Sequence, residues 1–143
     1  MAYSNGVLHH TPDTVGAVRE IHRVLKPGAW LVLSEIAKGE RGELDYPTPW
    51  ASSALTSFLS TPEQTRQGLE EAGFDVIRWR STRDQALASG ARARAMVASG
   101  DKPPHRAVML IHGDSANEAM ANMSRGLSNA QVTPIEVLAR KRT

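Results

Sequence analysis

Apolar positions change their period several times along the chain, and each change marks an element. Residues 2 to 8 read as the end of a short strand, and Ser4, Asn5 and Gly6 are the small, turn-permissive types at which a strand gives way to a loop. Thr11 and Pro12 then predict a helix start, with threonine as the cap and proline at the first helical position. Ala17, Val18, Ile21, Val24 and Leu25 recur at the three-or-four spacing of one helix face until Lys26, Pro27 and Gly28 stop it. Trp30 to Ile36, WLVLSEI, is a nearly continuous apolar run too short for a second helix; it predicts a strand covered on both faces, as in parallel sheets. The polar stretch KGERGELDYP follows the carboxyl end of that strand, which is the ligand side of an open α/β sheet.

A second Thr-Pro pair, Thr48 and Pro49, predicts a helix with Trp50, Ala54, Phe58 and Leu59 on one face. A third, Thr61 and Pro62, is followed by Gln64, the pattern of a capping box. Leu69 and Ala72 continue that helix, Gly73 fits the left-handed position after it, and Phe74 to Arg80 reads as a strand. Residues 83 to 98 are Ala-rich and helical in propensity, weakened at Gly90 by roughly 1 kcal/mol. Ala107 to Ile111 fits a strand or a helix equally. Asp114 predicts the cap of a helix that turns Ala116, Met120, Met123 and Leu127 inward, and Ile135 to Ala139 supplies a last strand. Strands alternating with helices in this order imply an α/β layered sheet of about four strands.

Composition narrows the picture. A length of 143 residues accommodates one domain, and 41% hydrophobic with 22% charged residues is an ordinary globular balance. The absence of cysteine excludes disulfides, thiolate metal sites and cysteine nucleophiles. No basic segment leads into a long apolar run near Met1, and no apolar stretch approaches the roughly 20 residues of a bilayer span, so a cytoplasmic location is expected. The net charge is only +2, and Arg140, Lys141 and Arg142 read as a solvated tail: no aromatic residues interleave with them, so nucleic acid is not expected as a partner.

The segment SNGVLHHTPDTVGAVREIHRVLKPGAWLVLSEI resembles the second half of the class I S-adenosylmethionine-dependent methyltransferases, in the type 11, small-molecule and ubiquinone-biosynthesis-like branch. In that pattern a fourth strand ends in a turn and a His-rich run, here Ser4 to His10; an aspartate, here Asp13, opens a helix; and Arg23 to Gly28 leads into a fifth strand. STPEQTRQGLEEAGFDVIRW is similar to the helix and sixth strand, and TPIEVLARK to the seventh, which runs antiparallel in the family. The resemblance implies a Rossmann-like methyltransferase sheet, its C-terminal half only (strands four to seven), as one domain portion over residues 1–143 with a helical insert at about 83–130. The family's glycine-rich cofactor turn and its acidic ribose ligand precede the fourth strand, and no Gly-x-Gly occurs in this sequence. The expectation is therefore a C-terminal portion, from a truncated reading frame or completed by another polypeptide, that requires the missing half to bind S-adenosylmethionine.

The same resemblance places Ser4, Asn5, Gly6 and Val7 against the cofactor, largely through backbone, and His9 and His10 at the border of the acceptor pocket. Histidine titrates near neutral pH and can act as a base; adjacent residues of an extended segment point opposite ways, so at most one faces the site. Capping and packing are their alternative roles, and an adjacent pair lacks metal-ligand spacing. Glu35 closes the fifth strand, where it either attracts a cationic acceptor or is a solvated carboxylate. Tyr46 and Trp50 either hold an ammonium group on their faces or, for Trp50, pack into a core. Asn117 and Asn122 flank a Met-rich helix, Met120 and Met123 read as core, and His22, His105 and His112 read as structural. The function expected is methyl transfer to a small-molecule acceptor through N, O or C. The rivals are a noncatalytic fragment or interaction module whose open sheet edge self-associates or pairs with a partner chain, and half of a nucleotide-dependent oxidoreductase lacking the antiparallel last strand. No membrane partner is expected.

Overall fold

The computed structural model describes residues 1–101 and 106–143, so His105 lies outside the described residues. Four strands form one sheet: β1 (Ala2–Asn5), β2 (Trp30–Lys38), β3 (Phe74–Ser81) and β4 (Val132–Lys141), in the spatial order β1-β2-β4-β3. β1 lies parallel to β2 with Asn5 opposite Ser34, whereas β4 runs antiparallel to both β2 and β3. The antiparallel direction of the final strand is what the methyltransferase resemblance implied and the oxidoreductase reading did not; the structure adds that this strand lies between β2 and β3. β3 carries one irregularity between Val76 and Arg78, where the extra residue Ile77 is turned out to solvent.

The helices are α1 (Thr14–Val24), α2 (Pro62–Glu71), α3 (Arg83–Ala98), α4 (Arg106–His112) and α5 (Ala116–Ser128), so the ambiguous run at 107–111 is helical. Val18 of α1 and Leu69 of α2 pack with Phe74 onto one face of the sheet, against Leu31, Leu33, Ile135, Val137 and Ala139. On the other face, near the carboxyl end of β2, a second cluster joins Trp50 and Ala51 to Leu127 and Val132, with Ile36, Leu44, Leu87 and Met123 at its margin. β2 is therefore covered unequally: Leu31, Leu33, Glu35 and Ala37 are buried, while Val32, Ser34 and Ile36 are half-buried.

The capping box at α2 forms as its sequence prescribes, with Thr61 Oγ1 accepting from Gln64 N at 3.1 Å and Gln64 Oε1 accepting from Thr61 N at 2.9 Å. The helix ends at Gly73, which has φ of +100°. At α1 the expected cap moves: Asp13, not Thr11, accepts from Gly16 N at 2.7 Å, because the turn of Leu8–His10 delays helix entry and leaves Thr11 extended. No helix forms at Trp50. Pro47 and Pro49 flank Thr48, whose hydroxyl bonds the backbone of Ala51 in both directions at 3.2 and 3.3 Å, so a tight turn competes successfully with helix. A short 3-10 turn, Ala54–Thr56, follows. Asp114 likewise does not cap α5; it lies in the 3-10 turn Gly113–Ser115 that runs straight into the helix. Met120 points outward, 39% exposed, and the buried face of α5 is made of Ala116, Ala119, Asn122, Gly126 and Leu127, small enough to bring the helix close to the loop containing Leu44.

The three basic residues near the carboxyl terminus are not a solvated tail. Lys141 Nζ donates to His22 O at 2.7 Å and Leu25 O at 2.8 Å, closing the carboxyl end of α1. Arg142 donates to Glu70 O and Phe74 O, and Arg140 Nε donates to Gly28 O at 3.0 Å. Arg83 does the same for α5, donating to Leu127 O at 2.7 Å and Ser128 O at 2.9 Å. Cations at helix carboxyl ends satisfy unpaired carbonyls and oppose the negative end of the helix dipole.

α5 closes in a Schellman motif, with Gln131 N donating to Gly126 O at 2.8 Å, and the residue in the left-handed conformation is Ala130 at φ +57°. An L-residue there costs roughly 1–2 kcal/mol, part of which glycine gives back through its freer unfolded chain. Ala130→Gly is expected to stabilise the chain by up to ~1 kcal/mol, read as a higher urea midpoint with an unchanged slope.

Candidate active site

The site forms where β1 ends beside β2. Asn5 pairs with Ser34, after which the chain leaves the sheet at Gly6, while Glu35 does not close its strand as expected: β2 runs on to Lys38 and Glu35 stays paired with Ile135 of β4. Gly6 turns the chain with φ of +63° while its N–H still donates to Ser34 O at 2.8 Å. The next two amides, Val7 N and Leu8 N, donate to Glu35 Oε1 at 2.8 and 3.0 Å, so the carboxylate caps the turn Leu8–His10. The other oxygen, Oε2, lies 2.6 Å from His9 Nδ1.

His9 and Glu35 are 5% and 6% exposed. A carboxylate only accepts, so its contact puts the proton on His9 Nδ1 and leaves Nε2 as the acceptor of the neutral ring. Among the described residues nothing hydrogen-bonds to Nε2, and no buried side-chain nitrogen or oxygen lacks a partner, so Nε2 keeps an opening to the surface. The edge of Trp50 meets the His9 ring at a centroid distance of 5.8 Å, and the His10 ring lies 4.4 Å away on another side. The His9 carbonyl accepts from Phe58 N at 3.2 Å, tying the turn to the loop after β2.

Burial works against charge on Glu35, but the hydrogen bonds from His9, Leu8 and Val7 outweigh it and hold the carboxyl below its ordinary range. His10 is exposed beside this pair; its pKa is lowered by partial burial and then by His9, against a weaker attraction from Glu35. A small cavity beside His9 and Glu35, of about 10 Å³, has a mixed lining of Leu8, Ile36 and Phe58 with Thr14, Ser60 and Thr65.

These positions change several expectations. Glu35 is neither solvated nor free to attract a cationic acceptor, because both oxygens are engaged by the chain's own donors. Trp50, 8% exposed, is packed in the second cluster and forms a wall beside His9 in place of an open face for an ammonium group. Tyr46 is half-buried and lines a neighbouring cleft of about 120 Å³ with Lys38, Glu43, Leu44 and Ser57, a cleft His9 does not reach. The backbone amides of Gly6, Val7 and Leu8 are all used internally, so contact by Ser4 to Val7 with a cofactor rests on side chains and carbonyls, the exposed ones being Asn5 and Val7. His112 and Asn122, which the sequence marked only as structural or flanking, turn out to bond carbonyls of the loop that holds Trp50.

Among the described residues no group of three or more His, Asp and Glu side chains converges as a metal site, and no helix is long and apolar enough to cross a membrane.

Residues 1–33, which contain β1, the His9 turn, α1 and the start of β2, match the family model described as a methyltransferase domain. No curated protein sequence matches the chain. Among solved structures, the [4+2]-cyclase SpnF is similar with a TM-score of 0.66 at 24% identity, over 99% of this chain and 49% of that one. The phosphoethanolamine N-methyltransferase 2 of Haemonchus contortus, solved with phosphomonomethylethanolamine and S-adenosylhomocysteine, gives 0.71 at 13% identity, over 99% and 33%. A putative sarcosine dimethylglycine methyltransferase from Galdieria sulphuraria gives 0.67 at 18%, over 98% and 52%. Likeness at such identities establishes fold, and one of the three is described as a cyclase, so fold does not by itself select the reaction. The chain spans a third to a half of the length of these three structures. Strand order and structural likeness together give the chain the open mixed α/β sheet of the Rossmann-like methyltransferase fold, and its first 33 residues carry the sequence pattern of a methyltransferase domain.

Proposed function

We propose that this chain supplies the acceptor side of a methyl transfer from S-adenosylmethionine to the hydroxyl group of a small molecule in the cytoplasm, with His9 as the general base. The observation that carries this reading is the 2.6 Å contact between His9 Nδ1 and Glu35 Oε2. An amine arrives with a free lone pair and needs no base, whereas a hydroxyl must lose a proton as its oxygen attacks. Glu35 acts as a positioning residue: it fixes the tautomer that leaves Nε2 basic and stabilises the ring once it is protonated. S-adenosylmethionine would supply an electrophilic methyl group. Asn5 and Val7 fit one wall of its site, while the glycine-rich turn that grips it in the family has no counterpart in this sequence. In the balanced step the hydroxyl oxygen forms a bond to the methyl carbon, the sulfonium bond breaks to leave a neutral thioether, and the hydroxyl proton passes to His9 Nε2. Trp50 excludes water from one side of the ring.

His9→Gln is expected to lower kcat for a hydroxyl acceptor by at least ~10²-fold, while calorimetric titration shows cofactor affinity unchanged. Equal rates for the variant and the parent would overturn the base assignment.

A second reading is favoured by the outer edge of β1, which pairs with β2 alone and carries Tyr3, 64% exposed, beside it. Such an edge suits pairing with a further strand, from a second copy or a partner chain, in an interaction module without catalysis. Sedimentation separates the two: a concentration-dependent dimer without methyl transfer supports the module.

A further inference from the structure

We infer that Asn122 and His112 are positioning residues that clasp the Trp50 loop from the helical layer and so hold the Trp50 ring against His9; this rests on the function proposed above. The loop 45–51 contains Pro47 and Pro49, and a proline carries no N–H, so its carbonyls are the groups left for anchoring it. Two of them are taken by side chains remote in sequence. Asn122 of α5 is 2% exposed and its Nδ2 donates to Pro47 O at 2.8 Å. His112, the last residue of α4, places Nε2 3.0 Å from Pro49 O, and a carbonyl there requires that nitrogen to be the donor. Asn122 is itself fixed, its Oδ1 accepting from Arg125, which also reaches Asp45 at 3.5 Å.

Between and after these anchored carbonyls sit Thr48, fully buried and closed on Ala51, and then Trp50. The Trp50 indole N–H donates to Ser57 Oγ at 3.0 Å, and its ring edge meets His9. A displacement of α5 or α4 is thus transmitted through two carbonyls to the indole ring that packs against the proposed base. A buried asparagine satisfied at both ends is a costly arrangement to replace by chance packing, and here it holds a loop in place of a helix end or strand. The consequence is that the helical layer fixes the surroundings of the proposed base without touching the reacting atoms.

The test labels the protein with 5-fluorotryptophan and follows the three tryptophan resonances, with that of Trp50 assigned by its loss in Trp50→Phe. Asn122→Ala and His112→Gln are each expected to shift and broaden the Trp50 resonance and to leave those of Trp30 and Trp79 in place, which also reports that the variants are folded; the double variant is expected to increase the effect. In transfer assays the single variants raise KM for the hydroxyl acceptor about 5- to 10-fold, with kcat at saturation and KM for the methyl donor within about twofold, the signature of lost uniform binding. An unmoved Trp50 resonance in both single variants and the double would overturn the clasp. If the parent transfers no methyl group to any hydroxyl, the function above fails while the resonance still decides the clasp.

Discussion

Glu35→Ala is expected to destabilise the chain by about 3–5 kcal/mol at neutral pH, the combined cost of leaving its hydrogen-bond donors unsatisfied. Three donors depend on this carboxylate: Val7 N, Leu8 N and His9 Nδ1. Alanine leaves Leu8 N and His9 Nδ1 without acceptors in a largely buried turn, each at about 1–3 kcal/mol, and Val7 N, on an exposed residue, at less. Glu35→Gln restores one acceptor oxygen but turns an amide NH₂ toward another donor, so it recovers only part of the loss. Urea unfolding of the two variants with unchanged slopes checks this; a loss below 1 kcal/mol for alanine would show that the turn at Leu8 is held by other contacts.

The same residue makes an acid-side prediction. The folded-state pKa of Glu35 lies below its ordinary value of 4.5, since its hydrogen bonds together exceed the penalty of burial. Such a group binds its proton more weakly in the folded state, so its stabilisation is complete above the unfolded pKa and disappears as pH falls through the folded one. The stability gap between the parent and Glu35→Gln is therefore expected to be full at neutral pH and to narrow as pH falls below 4.5 and through the lowered folded-state value. A gap constant across that range would mean that the charge of Glu35 contributes nothing and its shape everything.

Gly39→Ala is expected to cost about 3 kcal/mol or more, at the upper end of what overpacking does, because the obstruction is backbone. A methyl group at Gly39 would lie 2.1 Å from Ala130 O and 2.6 Å from Gln131 C. Neither can swing away as a side chain does. Gly39 N donates to Gln131 O at 2.8 Å and Arg41 N to Ala130 O at 3.1 Å, so the chain leaving β2 is laced to the turn between α5 and β4. Separating them strains the Schellman turn and the start of β4, which pairs Val132 with Lys38. Thermal unfolding and hydrogen exchange at Val132 and Lys38 measure the effect; a variant as stable as the parent would show that this crossing yields at little cost.

Much of the fold was legible along the chain. Leu31, Leu33 and their neighbours in WLVLSEI form a strand wherever they are placed, and Thr61 with Gln64 carries its own cap, because both depend on contacts within a few residues. The same locality misled at Trp50 and at Asp114. The Thr-Pro start before Trp50 has the spacing of a helix, but the Thr48 hydroxyl closes a turn on Ala51, and bonds from α4 and α5 hold the result. Asp114 has the chemistry of a cap, yet the chain enters α5 from a preceding turn.

The candidate site divides in the same way. Local sequence determined that a turn with two histidines would follow β1, since strand ends and turn types are short-range properties, but it stopped β2 at the carboxylate, whereas pairing with β4 carries the strand on to Lys38. It could not determine that Glu35 would point inward to His9, 26 residues away, because that depends on the parallel register that sets Asn5 beside Ser34. Nor could it show that Lys141 and Arg142 close helices more than sixty residues earlier, when a run of basic residues at a chain end has the composition of a solvated tail. Hydrophobic period and capping chemistry are written in neighbouring residues and survive in any context. Charge pairing and hydrogen bonding across elements follow from which strands lie side by side, and that was decided only when the sheet assembled.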